Sequence, residues 1–281
     1  MTVPRKPLPP RLYKYQPFNG QTLENLTQQS VWFSAPIHLN DPYDCDLAGI
    51  DPEELTDADF QLALDYMQPL MPPEEKARMC PDGVLTPKFR KTLIKYLEGV
   101  FDDEREVRRR HRGIACFSER SDDVVMWSHY ANGHRGFSLE FDTTIEPFST
   151  AKPVNYDDAF PSIPLSLLFS DHAAGHDDSD TDLLLEAFVL TKAKCWTYEN
   201  EWRAMHMEAS KRYGYGPHGL TGLYLGAAMP DAQRVILFRL LSGTSVKFHA
   251  MRRDKRSFRL SSERVTYTPP LDTPSEPNTG A

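Results

Sequence analysis

The sequence predicts an α+β fold, a mixed and mainly antiparallel central sheet with flanking helices and a helical insertion at about residues 53–112. Three observations predict it. Short strand-like runs stand on both sides of that block, and Phe137, Leu139 and Phe141 alternate cleanly with Ser138, Glu140 and Asp142. Within the block, Phe89, Leu93, Tyr96, Leu97 and Val100 recur at the three- and four-residue spacing of a helix face. No internal repeat divides the chain.

Residues 1–10 hold four prolines and read as an extended, flexible arm. Residues 11–267 form one domain. Leu12–Tyr15 is expected as a strand, Thr22–Gln29 as a short helix and Val31–Ser34 as a second strand, before an Asn40-Asp41-Pro42 loop. The helical block breaks at Pro72-Pro73, and its long helix runs from about Pro87 to Arg110. Then follow a strand at Ile114–Ser118, a helix at Asp123–Tyr130 and a strand at Gly136–Asp142. A loop over residues 157–181 leads to a helix at Asp182–Ala193 and a strand at Trp196–Met207. The order closes with a strand at Leu223–Leu225, a helix at Asp231–Leu241, and strands near Val246–Met251 and Phe258–Tyr267. Residues 268–281 are a disordered tail by composition.

Among 281 residues, 40% are apolar and 26% charged, the profile of a soluble globular protein. A net charge of −8 argues against nonspecific nucleic-acid binding as the main activity, because phosphate contacts need a basic surface. It leaves room for a local basic groove. The run Arg105–Arg112 reads as a solvated helix end, where cations suit the dipole. No apolar run approaches the roughly 20 residues of a membrane span. The basic N-terminus lacks the apolar core of a secretory signal. The scattered cysteines Cys45, Cys80, Cys116 and Cys195 show no zinc or redox spacing, and are expected as reduced thiols in a cytoplasm.

Four separated patches mix aromatic residues with charged, amide or histidine side chains: Leu12–Tyr15, Trp32–Asp44, Cys116–Asp142 and Cys195–Arg203. Polar groups set beside aromatics must be held and satisfied, which marks them as parts of one pocket. If Trp196–Met207 is a strand, Glu199, Glu201 and Arg203 share a face, with the two carboxylates about 6.6–7 Å apart. Such a pair suits charge stabilisation, acid–base work or metal binding. The competing reading is a solvent-facing polar stripe with Arg203 paired to a carboxylate. His129, on its short helix, is either a ligand donor or a structural hydrogen-bonder. Asn40-Asp41-Pro42-Tyr43-Asp44 is either a carboxylate cation site or a turn with local side-chain capping. No phosphate-binding loop and no dinucleotide glycine fingerprint is present.

These patches resemble the bacterial family known as domain of unknown function 2971. Its pattern is an L-Y-K-Y-R start, W-F-S-x-P-x-x-F-N-D-P-F-D, C-F-S, M-W-S-H-Y-A, H-x-G-F-x-x-x-F-D and W-x-Y-E-x-E-W-R. The resemblance spans about residues 11–260, with Gln16 in place of the usual Arg, Leu39 in place of an aromatic and Tyr43 in place of Phe. The missing Arg removes a charge that would anchor an anionic ligand.

More distantly, the order of an aromatic–basic first strand, a serine-bearing second strand and a late E-x-E strand is similar to the ADP-ribosyltransferase arrangement. That likeness implies NAD as co-substrate, no metal, and a late-strand Glu stabilising the oxocarbenium ion as nicotinamide leaves. By position, Glu201 would be the catalytic carboxylate and Glu199 would orient the acceptor nucleophile. Ser34 would support the ribose, Tyr13 or Tyr130 would stack on nicotinamide, and Lys14 or His129 would contact pyrophosphate or adenosine ribose. The acceptor, protein or nucleic acid, is left open, and a bacterial toxin or phage-defence effector would suit the chemistry.

Two other classes stay open. One is a metal-dependent nuclease or phosphodiesterase built on Asp41, Asp44, Glu140, Asp142, Glu199 and Glu201, with His129 as base. The other is a non-enzymatic sensor that binds a nucleotide or peptide.

Overall fold

The computed structural model describes residues 6–67, 69, 72–81, 85–162 and 186–266. In chain order the elements begin with β1 (Arg11–Gln16), α1 (Gly20–Thr27) and β2 (Ser30–Phe33). The insertion supplies α2 (Asp57–Met67), α3 (Pro73–Met79) and α4 (Pro87–His111). Next come β3 (Gly113–Ser118), α5 (Val124–Tyr130), β4 (Phe137–Asp142), β5 (Lys152–Pro153), β6 (Asn155–Asp157) and β7 (Thr191–Ala193). The last are β8 (Glu201–His206), β9 (Lys211–Gly214), β10 (Leu220–Leu225), α6 (Asp231–Leu240), β11 (Lys247–Arg253) and β12 (Leu260–Val265).

Eight strands form one sheet in the order β12-β11-β10-β4-β1-β3-β8-β5. All of its ladders are antiparallel except β10 with β11. That is the expected mixed, mainly antiparallel α+β architecture. β2 pairs with β9 and β6 with β7 in two small satellite sheets.

The β4 alternation sends Phe137 and Phe141, both fully buried, and Leu139 into the main core with Leu12, Phe117, Trp202, Leu26 and Leu237. The opposite face of β3 contributes Ile114 to a second core, where it meets Phe60, Leu93, Leu97 and Phe101 of the insertion. The insertion therefore shares a core with the sheet, as its apolar face requires. Its stripe is narrower than the sequence spacing predicts: Leu93, Leu97 and Phe101, four apart, are buried, whereas Tyr96 is exposed. Thr86 caps α4, accepting from the Phe89 N–H, and Pro87 stands at its first turn, where the missing N–H costs nothing.

Two expected elements differ. The strand expected at Trp196–Met207 begins only at Glu201, because Lys194–Glu199 is a 3₁₀ turn and Asn200 adopts a left-handed conformation (φ 45°). Asparagine tolerates that region better than most residues. The helix expected at Asp182–Ala193 is helical at residues 186–190 and gives way to the strand β7, while residues 182–185 lie outside the described ones. Most of the expected loop at 157–181, the first five residues of the arm and the tail also lie outside them. The short β5, β6, β7 and β9 carry no alternation long enough to be read from sequence.

The β1–β3 ladder is cut short. β1 pairs with β4 along its whole length, yet with β3 only through Tyr13 and Ser118. Further along β3, Ile114 pairs instead with Ser34. Between these two pairings the sheet is notched, and the Lys14 ammonium donates to the Cys116 carbonyl at 2.9 Å across the gap.

Gly136, at the turn into β4, is where the backbone comes closest: an added Cβ would lie 2.1 Å from the Gln16 carbonyl oxygen and 3.0 Å from the Ala131 Cα. Gly136→Ala is expected to destabilise the protein by about 1–3 kcal/mol through overpacking, read as a lower urea midpoint with an unchanged m-value.

Candidate functional site

The notch in the sheet opens into a cavity of about 160 Å³. It is bordered by Tyr13, Lys14, Ser34, Tyr130, Glu199 and Glu201, together with Asn40, Asp44, Cys116 and Lys192. The structure thus brings together six of the seven site residues expected from sequence. His129 is the exception. Its ring lies on the outer side of α5, where Nδ1 is 3.2 Å from the Tyr198 hydroxyl and Trp196 packs nearby.

The floor of the cavity is a buried ion network. The Lys192 ammonium donates to Glu199 Oε2 at 2.5 Å and to Glu201 Oε2 at 3.1 Å, and lies 3.4 Å from Asp44 Oδ2. Arg203, fully buried, grips Glu201 with two parallel bonds, Nε to Oε1 at 2.7 Å and Nη2 to Oε2 at 2.9 Å. The same Nη2 reaches Asp44 at 2.7 Å, and Nη1 donates to the Val189 carbonyl at 2.5 Å. Charges this deep are tolerated only when paired and hydrogen-bonded. Arg203 is therefore paired to a carboxylate, as one reading of the sequence expects, but in the interior rather than on a solvent-facing stripe.

Glu199 and Glu201 do not meet by strand alternation. Glu199 ends the 3₁₀ turn and Glu201 starts β8, so the left-handed Asn200 between them folds both carboxylates onto one lysine. The turn is fixed from both sides. The Ser118 hydroxyl donates to the Glu199 carbonyl at 2.7 Å, and the Glu201 N–H donates to the Tyr156 hydroxyl at 2.8 Å.

The two carboxyls are electrostatically unlike. Burial alone would raise Glu201, but the Arg203 and Lys192 charges and the Cys116 thiol hold it well below the usual glutamate range. At Glu199 burial prevails over Lys192, and the neighbouring Glu201 charge adds to it, so its pKa is raised. Glu201 is the fixed anion and Glu199 the carboxyl that takes up a proton first. Glu199 also accepts from the Tyr130 hydroxyl at 2.5 Å. The phenol itself is raised by burial and by the Glu199 charge.

Lys14 forms the opposite wall. Its ammonium sits 5.2 Å from the centre of the Phe117 ring, and desolvation lowers its pKa. The Tyr13 hydroxyl is turned toward Glu140 at 3.2 Å, so Tyr13 offers the cavity its ring rather than its oxygen. Ser34 holds its place through the backbone pairing with Ile114.

Lys192 is the cavity residue that no sequence motif points to, whereas the sequence offers Asp44 only as a carboxylate for a cation or metal. Asp44 binds cations, but they are the protein's own Lys192 and Arg203. The turn reading holds as well, because Asp41 Oδ1 accepts from the Tyr43 N–H at 2.9 Å. Nothing local marks Lys192, which stands on a three-residue strand two positions from the exposed Lys194. Its ammonium occupies the centre of the carboxylate group, the place a metal would need. Among the described residues no group of three or more His, Cys, Asp or Glu side chains has metal-holding geometry. All four cysteines are free. No helix among the described residues is long and apolar enough to cross a membrane.

Residues 126–204 match the sequence model of a family described as "Protein of unknown function (DUF2971)". The matched segment runs from α5 through β8 and includes Tyr130, Lys192, Glu199, Glu201 and Arg203. It supports the family resemblance read from the motifs over that stretch. No curated protein and no solved structure matches the chain.

Two outcomes follow for the ion network. Arg203→Met leaves Asp44 and Glu201 buried without their main cation and is expected to cost about 3–5 kcal/mol, measured by urea unfolding. Because the Glu201 pKa is depressed on folding, its stabilisation is present above its ordinary 4.5 and is lost as pH falls through the folded value. Urea midpoints measured from pH 7 downward should therefore fall in the acid range, and fall less steeply in Glu201→Gln.

Proposed function

We propose that the chain cleaves an N-glycosidic bond, with NAD as co-substrate, in the manner of an ADP-ribosyltransferase. One observation carries the reading: two buried carboxylates in unlike surroundings, Glu201 gripped by Arg203 and Glu199 hydrogen-bonded by Tyr130, share the Lys192 ammonium at the floor of a cavity that tyrosines border. Carboxyl pairs whose environments drive their pKa values apart divide naturally into a fixed anion and a proton carrier.

Glu201 keeps its negative charge and stands where positive charge would develop on the ribose as nicotinamide departs, an electrostatic role that needs no change of protonation. Glu199, the more easily protonated, orients the acceptor hydroxyl or water and receives its proton as the new bond to the anomeric carbon forms. Tyr130 fixes the Glu199 carboxylate, and the Tyr13 ring offers a stacking surface for nicotinamide. Lys14 supplies positive charge for the pyrophosphate. Ser34, which borders the same cavity, supports the ribose. With His129 on the far side of α5, a contact to the adenosine end requires the ligand to reach around that helix. Lys192 also borders a second cavity of about 380 Å³ with Tyr43, Phe160 and Trp196, a place for the acceptor on the other side of the lysine.

The test is release of free nicotinamide from NAD by purified protein, with and without divalent metal, alongside NAD binding by calorimetry. The expected result is metal-independent release, reduced about 10²-fold or more in Glu201→Gln, the scale on which a single preorganised electrostatic group acts. Glu199→Gln should lose turnover while retaining NAD binding, and Tyr130→Phe should lose less. Far-UV circular dichroism of each variant separates a catalytic loss from an unfolded one. Absence of both nicotinamide release and NAD binding in the wild type would sink the proposal. A wild type that binds NAD without releasing nicotinamide, with binding unchanged when both glutamates are neutralised, would indicate a sensor instead.

A further inference from the structure

The β11–β12 hairpin lies at the far edge of the sheet, with β10 and β4 between it and the notched strand β1. Its tip carries Arg252, Arg253, Lys255, Arg256 and Arg259 against a single carboxylate, Asp254, in a chain of net charge −8. Acidic chains concentrate that much positive charge in one place at an electrostatic cost, since like charges repel across so short a loop.

Little inside the protein neutralises it. Of these five cations, only Arg252 makes an ion pair among the described residues, to Glu263 at 3.3 Å. Hydrogen bonds from Arg256 and Ser257, joined by the Arg259 charge, hold the Asp254 carboxyl below its usual range. Asp254 is committed to the turn, where its carboxylate accepts from the Arg256 and Ser257 N–H groups at 2.7 Å each. Between the hairpin and the turn after α5, at Gly133 and His134, lies an open groove of about 1080 Å³ that the basic side chains border. Phe258, fully exposed at the tip, stands beside them. A ring left in water has no packing role in the monomer.

From this juxtaposition we propose that the hairpin groove binds single-stranded nucleic acid, its arginines and lysine tracking the phosphates and Phe258 stacking on a base. The concave, cation-lined shape suits a polyanion, and an exposed aromatic amid cations is how sequence-tolerant single-strand sites are built. A duplex hides the faces of its bases, so Phe258 would add nothing there. A membrane surface would ask for a wider apolar face than one phenylalanine. The site is separate from the reaction proposed above and stands or falls without it.

The experiment is fluorescence-anisotropy binding of 20-nucleotide oligo-dT and oligo-U, and of a 20-base-pair duplex, at several salt concentrations. The full chain is compared with Arg253→Ala/Arg256→Ala/Arg259→Ala, Phe258→Ala and a control, Lys88→Ala/Lys91→Ala/Lys95→Ala, which removes as many exposed charges from α4. The single strands should bind more tightly than the duplex. Log affinity should fall linearly with log salt, and the triple-arginine variant should lower that slope by about 2, at roughly 0.7 per phosphate contact. Phe258→Ala should lose about tenfold on single strands and nothing on duplex, in line with the usual worth of one stacked base. The α4 control should match wild type. Equal losses in the α4 control, insensitivity to Phe258, or duplex binding as tight as single-strand binding would each overturn the proposal. So would binding of phosphatidylserine–phosphatidylcholine vesicles with no oligonucleotide binding. The substitutions all lie on exposed surface of a strand end, a loop or a helix, and thermal melts verify folding.

Discussion

Everything around the cavity depends on one arrangement: two buried cations, Lys192 and Arg203, set against three buried carboxylates, Asp44, Glu199 and Glu201. These residues come from two distant stretches of chain, around residue 44 and over residues 192–203. The loop after β2 brings Asp44, the strand β7 brings Lys192, the turn before β8 brings Glu199, and β8 brings Glu201 and Arg203. No member can be buried without the others, because the desolvation of each is offset only by its partners. The network therefore works as a clamp that fixes the insertion side of the sheet, the β7 segment and the E-x-E turn in one geometry. Arg203 is suited to the centre of it, since its planar fork satisfies Glu201 bidentately and still reaches Asp44 and the Val189 carbonyl.

The clamp lies beside a break in the sheet rather than under a continuous one. Strand β1 leaves β3 after a single pair, and Lys14 spans the gap with a hydrogen bond to a carbonyl the ladder does not use. A sheet closed at that point would fill the space with backbone. The open notch leaves room for a ligand to meet side chains from both strands, with the carboxylates below. Because the insertion packs on β3 through Ile114, Leu93 and Leu97, the wall of the notch is held by a core of its own. The site therefore sits on rigid elements, which is the condition for electrostatic preorganisation.

Charge is distributed unevenly. The arginines of α4 lie close to acidic partners: Arg105 and Arg109 pair with Asp46, and Arg110 with Glu106. Arg105 and Arg109 thereby help dock the helix on the loop that carries Asp46. The β11–β12 tip is the contrast, with cations presented to solvent beside an aromatic ring. A whole-chain charge of −8 averages over these two situations and describes neither.

The sequence determined the class of fold and the membership of the cavity in outline. Strand alternation in β4 and helical spacing in α4 are local properties, set by which side chains need burial. They survive into the structure, although in α4 Tyr96 is exposed and Phe101 rather than Val100 completes the buried stripe. Aromatic–polar mixing located Tyr13, Lys14, Ser34, Tyr130, Glu199 and Glu201 because polar groups among rings need partners wherever they end up. What those partners are was decided only in three dimensions. Lys192 has no local signature, and its role exists because Asp44, some 150 residues away, reaches the same point. The pairing of Glu199 with Glu201 follows from a left-handed Asn200 and a 3₁₀ turn, where period-two reasoning expects a straight strand. His129 faces away from the cavity for the reason its neighbour Tyr130 faces in: on a helix, adjacent residues point about 100° apart, and packing decides which of them is turned inside.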